Sequence, residues 1–338
     1  MTYLGVDSHK RWTQIAAIDG DGRIIAEGRL PNTRDALTAF LKDLPKPFRG
    51  VVESSLCWTW VHDTLVELGV DMILAHPLMV RAIAAAKIKT DKVDARMLAQ
   101  LLRANLIPQA YVRSPEVREQ RRLWRERIWL VRMRTRLKNR IKRLLTVHNV
   151  ATPDVSDLFG VAGRKFLTAV ELPPTMRRTL NAQLKLLEIY NEQIKEAQGW
   201  AAEASAGHPY VSYLETIPGL GKVFAPIVAL EIDNIDRFAN AGRLASYSCL
   251  VPRLYQSSET TRFGSIGRQG NVWLKWVFVE AAWVAVSSSP YFQAQYLRLR
   301  RMKGPQIAII ACARKLSEVA FHVLKEQRPY QERAIAYA

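Results

Sequence analysis

The stretch Lys87-Ile-Lys-Thr90-Asp91-Lys-Val-Asp94-Ala-Arg-Met-Leu-Ala-Gln-Leu-Leu-Arg103 sets the reading of the chain. It begins basic and runs into a helix whose apolar positions are Val93, Met97, Leu98, Leu101 and Leu102. Asp91 and Asp94 are three residues apart, so they share one face of its first turn. Thr90 or Asp91 can cap that turn, where negative charge is favoured. Two carboxylates held side by side repel each other unless a cation lies between them. Alone, such a pair reads as a solvated, acid-capped helix start. Its meaning depends on where two upstream carboxylates fall.

Upstream, Tyr3-Leu-Gly-Val6 is a short apolar run that ends at Asp7. Thr13–Ile18 resumes as a strand, Asp19-Gly-Asp-Gly22 turns, and Arg23–Gly28 returns. Asn32 or Thr33 caps a helix to about Leu41. Gly50-Val-Val-Glu53 is a further strand with its carboxylate at the end, followed by a helix over Trp58–Leu68 and a strand over Asp71–Ala75. With the helix from Asp91 the order is βββαβαβα, that of an RNase H-like α/β domain. In that fold the first and fourth strands are neighbours, so Asp7 and Glu53 emerge at one edge with Asp91 and Asp94 beside them. Singly, Asp7 and Glu53 read as strand-terminal turn residues. Together, four oxygen-donor carboxylates suit Mg²⁺ or Mn²⁺. Two such ions about 3.5–4 Å apart serve phosphoryl transfer. His9 lies within reach of a phosphate in this pattern, but reads first as an exposed turn histidine.

The composition supports a polyanionic partner. The 338 residues carry 49 Lys and Arg against 31 Asp and Glu, a net charge of +18, which points to nucleic acid. Apolar residues make up 49%, enough for a sizeable core in two or three domains. Cys57, Cys249 and Cys312 are far apart, form no metal-ligand pattern and fit a reducing cytoplasm. The N-terminus has no signal pattern. The long apolar segment Trp273–Val286 contains Lys275 and Glu280, so no membrane span is expected.

After Pro108 the character changes. From Arg118 to Arg143 there are 12 Lys or Arg and two Glu. Leu123, Leu130, Leu137 and Leu144 recur every seven residues, as do Leu180, Leu187, Ile194 and Ala201, with Leu184 in support. These partial heptads predict two long helices packed as a coiled coil, joined by a Pro- and Gly-containing segment over residues 151–175. Uncompensated positive charge on the first helix would self-repel without a polyanion. Candidate nucleic-acid contacts there are Arg121, Arg122, Arg125, Arg132, Arg136, Lys138, Arg140 and Lys142. Trp124 and Trp129 read as packing residues that could also stack on bases.

In the last third, Ile217-Pro-Gly-Leu-Gly-Lys222 is a helix-entry turn that also resembles the phosphate-gripping hairpin of helix-hairpin-helix modules. Residues 249–271 form a polar, basic, Gly-containing loop between apolar helices, with Asn271 capping the second. Ser257 and Ser258 are its nucleophile-type pair, and Arg262 and Arg268 are placed to bind phosphate. A serine in such a loop is ordinarily a turn residue. The helix Gln306–Glu326 is amphipathic and is expected to cover this domain.

Asp7 after a strand, Glu53 after another, Lys-Thr-Asp-x-x-Asp-Ala at 89–95, and the Cys249–Asn271 block together resemble the DEDD transposases of insertion sequences. These are relatives of the Piv invertase and include bridge-RNA-guided recombinases. The resemblance implies a RuvC-like DEDD domain over 1–108, a basic coiled-coil arm and linker over 109–205, and a mainly helical C-terminal transposase domain over 206–338. It implies Asp7, Glu53, Asp91 and Asp94 as metal-binding acids and a serine nucleophile in the last domain. The family pattern reads Q-S-G or S-S-G where this chain has Gln256-Ser257-Ser258-Glu259, which aligns Ser257 and leaves Ser258 as the alternative. Cys249 stands where the family has glycine. The implied function is Mg²⁺-dependent cleavage and exchange of donor and target DNA through a phosphoserine link, guided in many members by a noncoding RNA. The implied partners are DNA, a guide RNA and further copies of the chain, as a dimer to tetramer, in the bacterial cytoplasm at the nucleoid. The alternatives are a RuvC-like junction endonuclease that uses water, and a non-catalytic nucleic-acid-binding protein.

Overall fold

A computed structural model describes residues 1–83, 90–257, 260–267 and 269–332. Lys87, Ile88, Lys89, Ser258, Glu259 and Arg268 therefore lie outside the described residues. The chain divides into two compact units, Met1–Arg113 and Ser114–Ala338.

The first unit is built on a six-stranded sheet of order β3-β2-β1-β4-β5-β6. Strands β1 (Thr2–Ser8), β2 (Trp12–Ile18) and β3 (Ile24–Pro31) form an antiparallel meander. Helix α1 (Arg34–Leu41), capped by the Thr33 hydroxyl, leads to β4 (Phe48–Glu53), which runs parallel to β1. Helix α2 (Trp58–Glu67) returns the chain to β5 (Asp71–Ala75), parallel to β4. Then come α3 (Pro77–Ile83), α4 (Asp91–Arg103) and the two-residue β6 (Gln109–Ala110), antiparallel to β5. This mixed sheet with covering helices is compatible with the RNase H-like expectation. Helix α3 and strand β6 were not expected from the sequence, being too short to set up a periodic pattern.

Alternation along β1 explains the two covered faces. Leu4 and Val6 pack with Leu37, Leu41, Val61 and Leu65 of α1 and α2. Tyr3, with Val51 of β4, packs with Leu98 and Leu102 of α4 on the other face. Gly5 lies on that second face. A Cβ there would sit 1.9 Å from the Ala95 carbonyl oxygen and 2.5 Å from the Ala99 nitrogen. Glycine thus allows the α4 backbone to rest directly on β1.

The second unit begins with two long helices, α5 (Pro115–Val147) and α7 (Pro174–Ser205), linked through α6 (Val161–Ala169). Trp124 Nε1 donates to Ser205 Oγ at 3.1 Å, Arg127 to Gln198 at 3.2 Å, and Arg134 to Asn191 at 3.2 Å, so the pair is antiparallel. On α7 the heptad positions Leu180, Leu187, Ile194 and Ala201 are all buried. On α5 the buried line runs through Ile128, Leu130, Leu137, Ile141 and Leu145, while Leu123 and Leu144 are only partly buried.

Helices α8 (Val211–Glu215) and α9 (Phe224–Ile232), a 3₁₀ turn (Ile235–Arg237) and α10 (Ala241–Tyr247) follow. Strands β7 (Pro252–Ser257) and β8 (Thr260–Ile266) pair antiparallel, and α11 (Val272–Ser288), α12 (Pro290–Lys303) and α13 (Pro305–Glu326) complete the unit. Trp124 and Ile128 of α5 and Ala201 of α7 share one core with α9, α11 and α13. The base of the basic arm and the C-terminal helices therefore fall in the same compact unit. The turn at Ile217–Lys222 packs inward: Gly219 has φ +86°, and a Cβ there would lie 2.2 Å from the Ala281 carbonyl of α11. Among the described residues no helix is long and apolar enough to cross a membrane.

Candidate metal centre and serine hairpin

Val6 is registered on Val52 in the parallel β1–β4 pair, so Asp7 and Glu53 are the next residues on adjacent strands. Just beyond, the Ser8 and Ser55 hydroxyls are 2.9 Å apart and join the two strand ends. Asp91 and Asp94 occupy the first turn of α4, where the Thr90 hydroxyl accepts from the Val93 N–H at 3.3 Å. Three contacts hold α4 over the sheet: Arg96 Nε and Nη2 donate to the Glu27 carboxylate at 2.7 and 2.8 Å, and Gln100 donates to the Gly22 carbonyl at 2.8 Å.

His9, a turn histidine by sequence, joins the acids in the structure. Its Nε2 lies 3.1 Å from Asp7 Oδ2 and 3.4 Å from Asp91 Oδ1, and its ring stacks on Trp12 with centroids 3.9 Å apart. The Arg29 guanidinium covers the other ring of that stack, 3.7 Å from the Trp12 centroid. One donor atom each from Asp7, His9 and Asp91 falls within 4.8 Å of the others. Burial pushes the Asp7 carboxyl above its ordinary range, the charges of Asp91 and Asp94 add to this, and His9 opposes it. Clustered carboxylates of this kind relax when a cation is shared among them, so the donor set fits a divalent ion, with the imidazole as an additional nitrogen ligand. Glu53 adjoins the cluster through strand register, and Asp94 through its charge on Asp7. A histidine two residues after a strand-end acid was the available signal. The spacing alone does not bring His9 to the acids, because the turn that folds it back, through Asn32 donating to the His9 carbonyl at 2.7 Å, is a tertiary contact.

The expected polar loop at 249–271 is instead a β-hairpin that rises from the buried Cys249 and Leu250. Ser257 is the last residue of β7 and is registered on Thr260 of β8, next to the turn. Alternation was hidden because Arg253, Leu254, Tyr255 and Gln256 are all exposed, so no buried face marks the strand. Arg262 is exposed on β8. Asn271 caps α11 as the sequence predicts, accepting from the Trp273 and Leu274 N–H groups at 3.0 and 3.1 Å.

Residues 4–150 match a family described as a transposase of the DEDD, IS110 type, and residues 211–297 match the transposase IS116/IS110/IS902 family. The chain belongs to this transposase family. The transposase for insertion sequence element IS1111A of Coxiella burnetii is 26% identical over 97% of this chain and 91% of its own length. That for IS1328 of Yersinia enterocolitica is 26% identical over 96% of each. A pilin gene-inverting protein of Moraxella bovis is 35% identical over 36% of this chain and 39% of its own.

This IS110-type transposase is thus a DNA transposase or recombinase, and the DEDD family suggests divalent-metal use at a site like the one described. Of the basic residues singled out on α5, Arg122, Arg132, Arg136, Arg140 and Lys142 are exposed. Lys138 is half-buried over the Phe159 ring, and Arg121 and Arg125 turn inward onto Glu231 of α9. Trp124 is buried in the core, while Trp129 is about half exposed.

Proposed function

We propose that this transposase cleaves and exchanges donor and target DNA through a serine-linked intermediate, with Asp7, Glu53, Asp91 and Asp94 holding Mg²⁺ or Mn²⁺. The observation that carries the reading is the convergence of the β1 and α4 acids on one point, with Asp7 pushed up by its surroundings. A bound divalent ion supplies positive charge at the scissile phosphate. Ser257, at the hairpin turn, is the proposed nucleophile. Its Oγ forms a bond to phosphorus, the bond from phosphorus to one deoxyribose oxygen breaks, and that oxygen leaves with the proton Oγ gives up. The exposed α5 cations Arg122, Arg132, Arg136, Arg140 and Lys142 neutralise backbone phosphates, which supplies affinity without sequence readout. Arg262 and Arg268 follow the serine turn in sequence and suit the phosphate itself. Sequence choice is assigned to a structured guide RNA. Exchange on two duplexes requires several protomers, acting on the nucleoid in a bacterial cytoplasm.

The test is a denaturing gel for a covalent protein–DNA adduct. Full-length protein receives a duplex spanning the element end and its flank, the adjoining noncoding RNA and Mg²⁺, with Ser257→Ala, Ser258→Ala and Asp91→Asn alongside. The expected result is an adduct that is lost in Ser257→Ala and Asp91→Asn and kept in Ser258→Ala. Cleaved DNA without adduct, unaffected by Ser257→Ala, would make the enzyme a water-using nuclease. Light scattering with nucleic acid bound reads the oligomer, and a monomer alone refutes the multi-protomer part.

A further inference from the structure

The Glu231 carboxylate of α9 is 2% exposed and takes no part in the chemistry above. Arg121 Nη2 donates to its Oε2 at 2.7 Å, and Arg125 Nη2 and Nε donate to its Oε1 at 2.7 and 2.9 Å. Asn271 Nδ2 donates to Oε2 at 2.7 Å. Burial alone would push the Glu231 carboxyl up, but the two guanidiniums and the amide overcome this and hold it below its ordinary range. A charge kept so far from water needs specific partners on its lone pairs.

What matters is where Asn271 leads. Its Oδ1 caps α11, and its backbone N–H donates to the Tyr247 carbonyl at 2.6 Å. Gly270 beside it has φ +148°, and a Cβ there would lie 2.4 Å from the same carbonyl and 2.8 Å from Cys249 Sγ. The Gly267 N–H donates to the Val251 carbonyl at 3.2 Å. Both feet of the β7–β8 hairpin therefore close on the end of α10, and the foot that follows β8 is tied through Asn271 to Glu231. Glu231 also fixes the sense of the Asn271 amide: with Nδ2 held by the carboxylate, Oδ1 must face the helix N–H groups.

We propose that Glu231, gripped by Arg121 and Arg125, is a positioning residue that clamps Asn271 and so sets the direction in which the hairpin presents Ser257. This rests on reading Ser257 as the nucleophile, and the experiment separates the two. Full-length wild type is compared with Glu231→Gln, Asn271→Asp and the double variant, which exchanges the amide and carboxylate between the two positions and restores the cluster's charge. Hydrogen–deuterium exchange is followed over residues 252–266, with α13 as internal reference. Adduct formation on the duplex spanning the element end and its flank is measured across DNA concentrations.

Each single variant is expected to speed hairpin exchange by about tenfold with α13 unchanged. Each lowers the maximal adduct rate by about tenfold and leaves the half-saturating DNA concentration within about twofold. The double variant recovers both readouts to within about threefold. Should the singles fold poorly, Arg125→Lys keeps the charge but loses the two-point grip, and is expected to speed hairpin exchange by about threefold. Hairpin exchange unchanged in folded variants overturns the clamp, as does loosening spread equally over α13 and unrecovered in the double. A clamp response with no adduct in wild type leaves the clamp standing and removes Ser257 as nucleophile.

Discussion

Gly5→Ala tests how the acidic site is assembled. The added Cβ would meet three backbone atoms of α4: the Ala95 carbonyl oxygen at 1.9 Å, the Ala99 nitrogen at 2.5 Å and the Ala95 carbonyl carbon at 3.0 Å. Such contacts settle at about 3.5 Å, so the helix must retreat by roughly 1.5 Å at Ala95. It cannot do so freely, because Arg96 and Gln100 tie it to Glu27 and Gly22. Overpacking of this kind costs about 1–3 kcal/mol. A smaller gain of about 0.4–1 kcal/mol from the stiffer unfolded chain offsets part of it. A net loss of about 1–2 kcal/mol lowers the melting midpoint of the first unit by about 5–15 °C. Asp91 lies one turn before Ala95 on the same helix, so the retreat also draws its carboxylate away from Asp7. Metal sites tolerate about 0.2 Å in ligand distance, so Mn²⁺ affinity should fall by about tenfold or more. The assay is thermal unfolding with and without Mn²⁺, together with calorimetric Mn²⁺ titration. Gly28→Ala is the control, since its Cβ would meet only Leu30 Cδ2, at 3.7 Å. A Gly5→Ala protein that melts within about 2 °C of wild type and binds Mn²⁺ equally well refutes the reasoning.

Three further outcomes follow from the charges. Lys92 and Arg96 hold the Glu27 carboxyl down at about 2 against an ordinary 4.5, with the Arg96 hydrogen bond the larger cause. A depressed acid stabilises the fold above the unfolded value and loses that contribution as pH falls from 4.5 toward 2. Glu27→Gln should therefore flatten the acid side of the urea-unfolding profile over that window; an unchanged slope would show that the pairing carries no linkage. On α5, the exposed Arg122, Arg136 and Arg140 changed together to Gln should reduce the slope of log K for duplex DNA against log salt by about 2–3, at about 0.9 per phosphate contact, without lowering stability by more than about 0.5 kcal/mol. Arg121→Gln, which leaves buried Glu231 under-compensated, should instead destabilise by about 3–5 kcal/mol. Equal unfolding free energies of the two variants, read by denaturant titration, contradict the division of α5 cations into outward and inward groups.

Much of the first unit is decided locally. The succession of strands and helices along the chain, the Thr33 and Thr90 caps and the placement of Asp7 and Glu53 at strand ends follow from alternation, turn chemistry and capping, each acting within a few residues. The α7 seam is likewise written in the heptad spacing, because one helix face repeats regardless of its partner. The sequence alone thus determined the mixed α/β domain, the two long basic and apolar helices, the Asn271 cap and the list of candidate acids.

Tertiary structure decided the rest, and for Gly5, His9 and Glu231 the deciding contact joins residues far apart in the chain. Gly5 reads as an ordinary strand residue until α4 is laid on it. His9 reads as a turn residue until Asp7 and Asp91 come within 3.1 and 3.4 Å of its Nε2. The hairpin at 252–266 lacks a buried face and gains strand structure through pairing, which side-chain periodicity does not report. Glu231 sits in an apolar helical run and becomes a hub only when Arg121, Arg125 and Asn271 converge on it. Periodicity records which side of an element meets the interior, whereas the identity of the partner across a contact depends on the path of the whole chain.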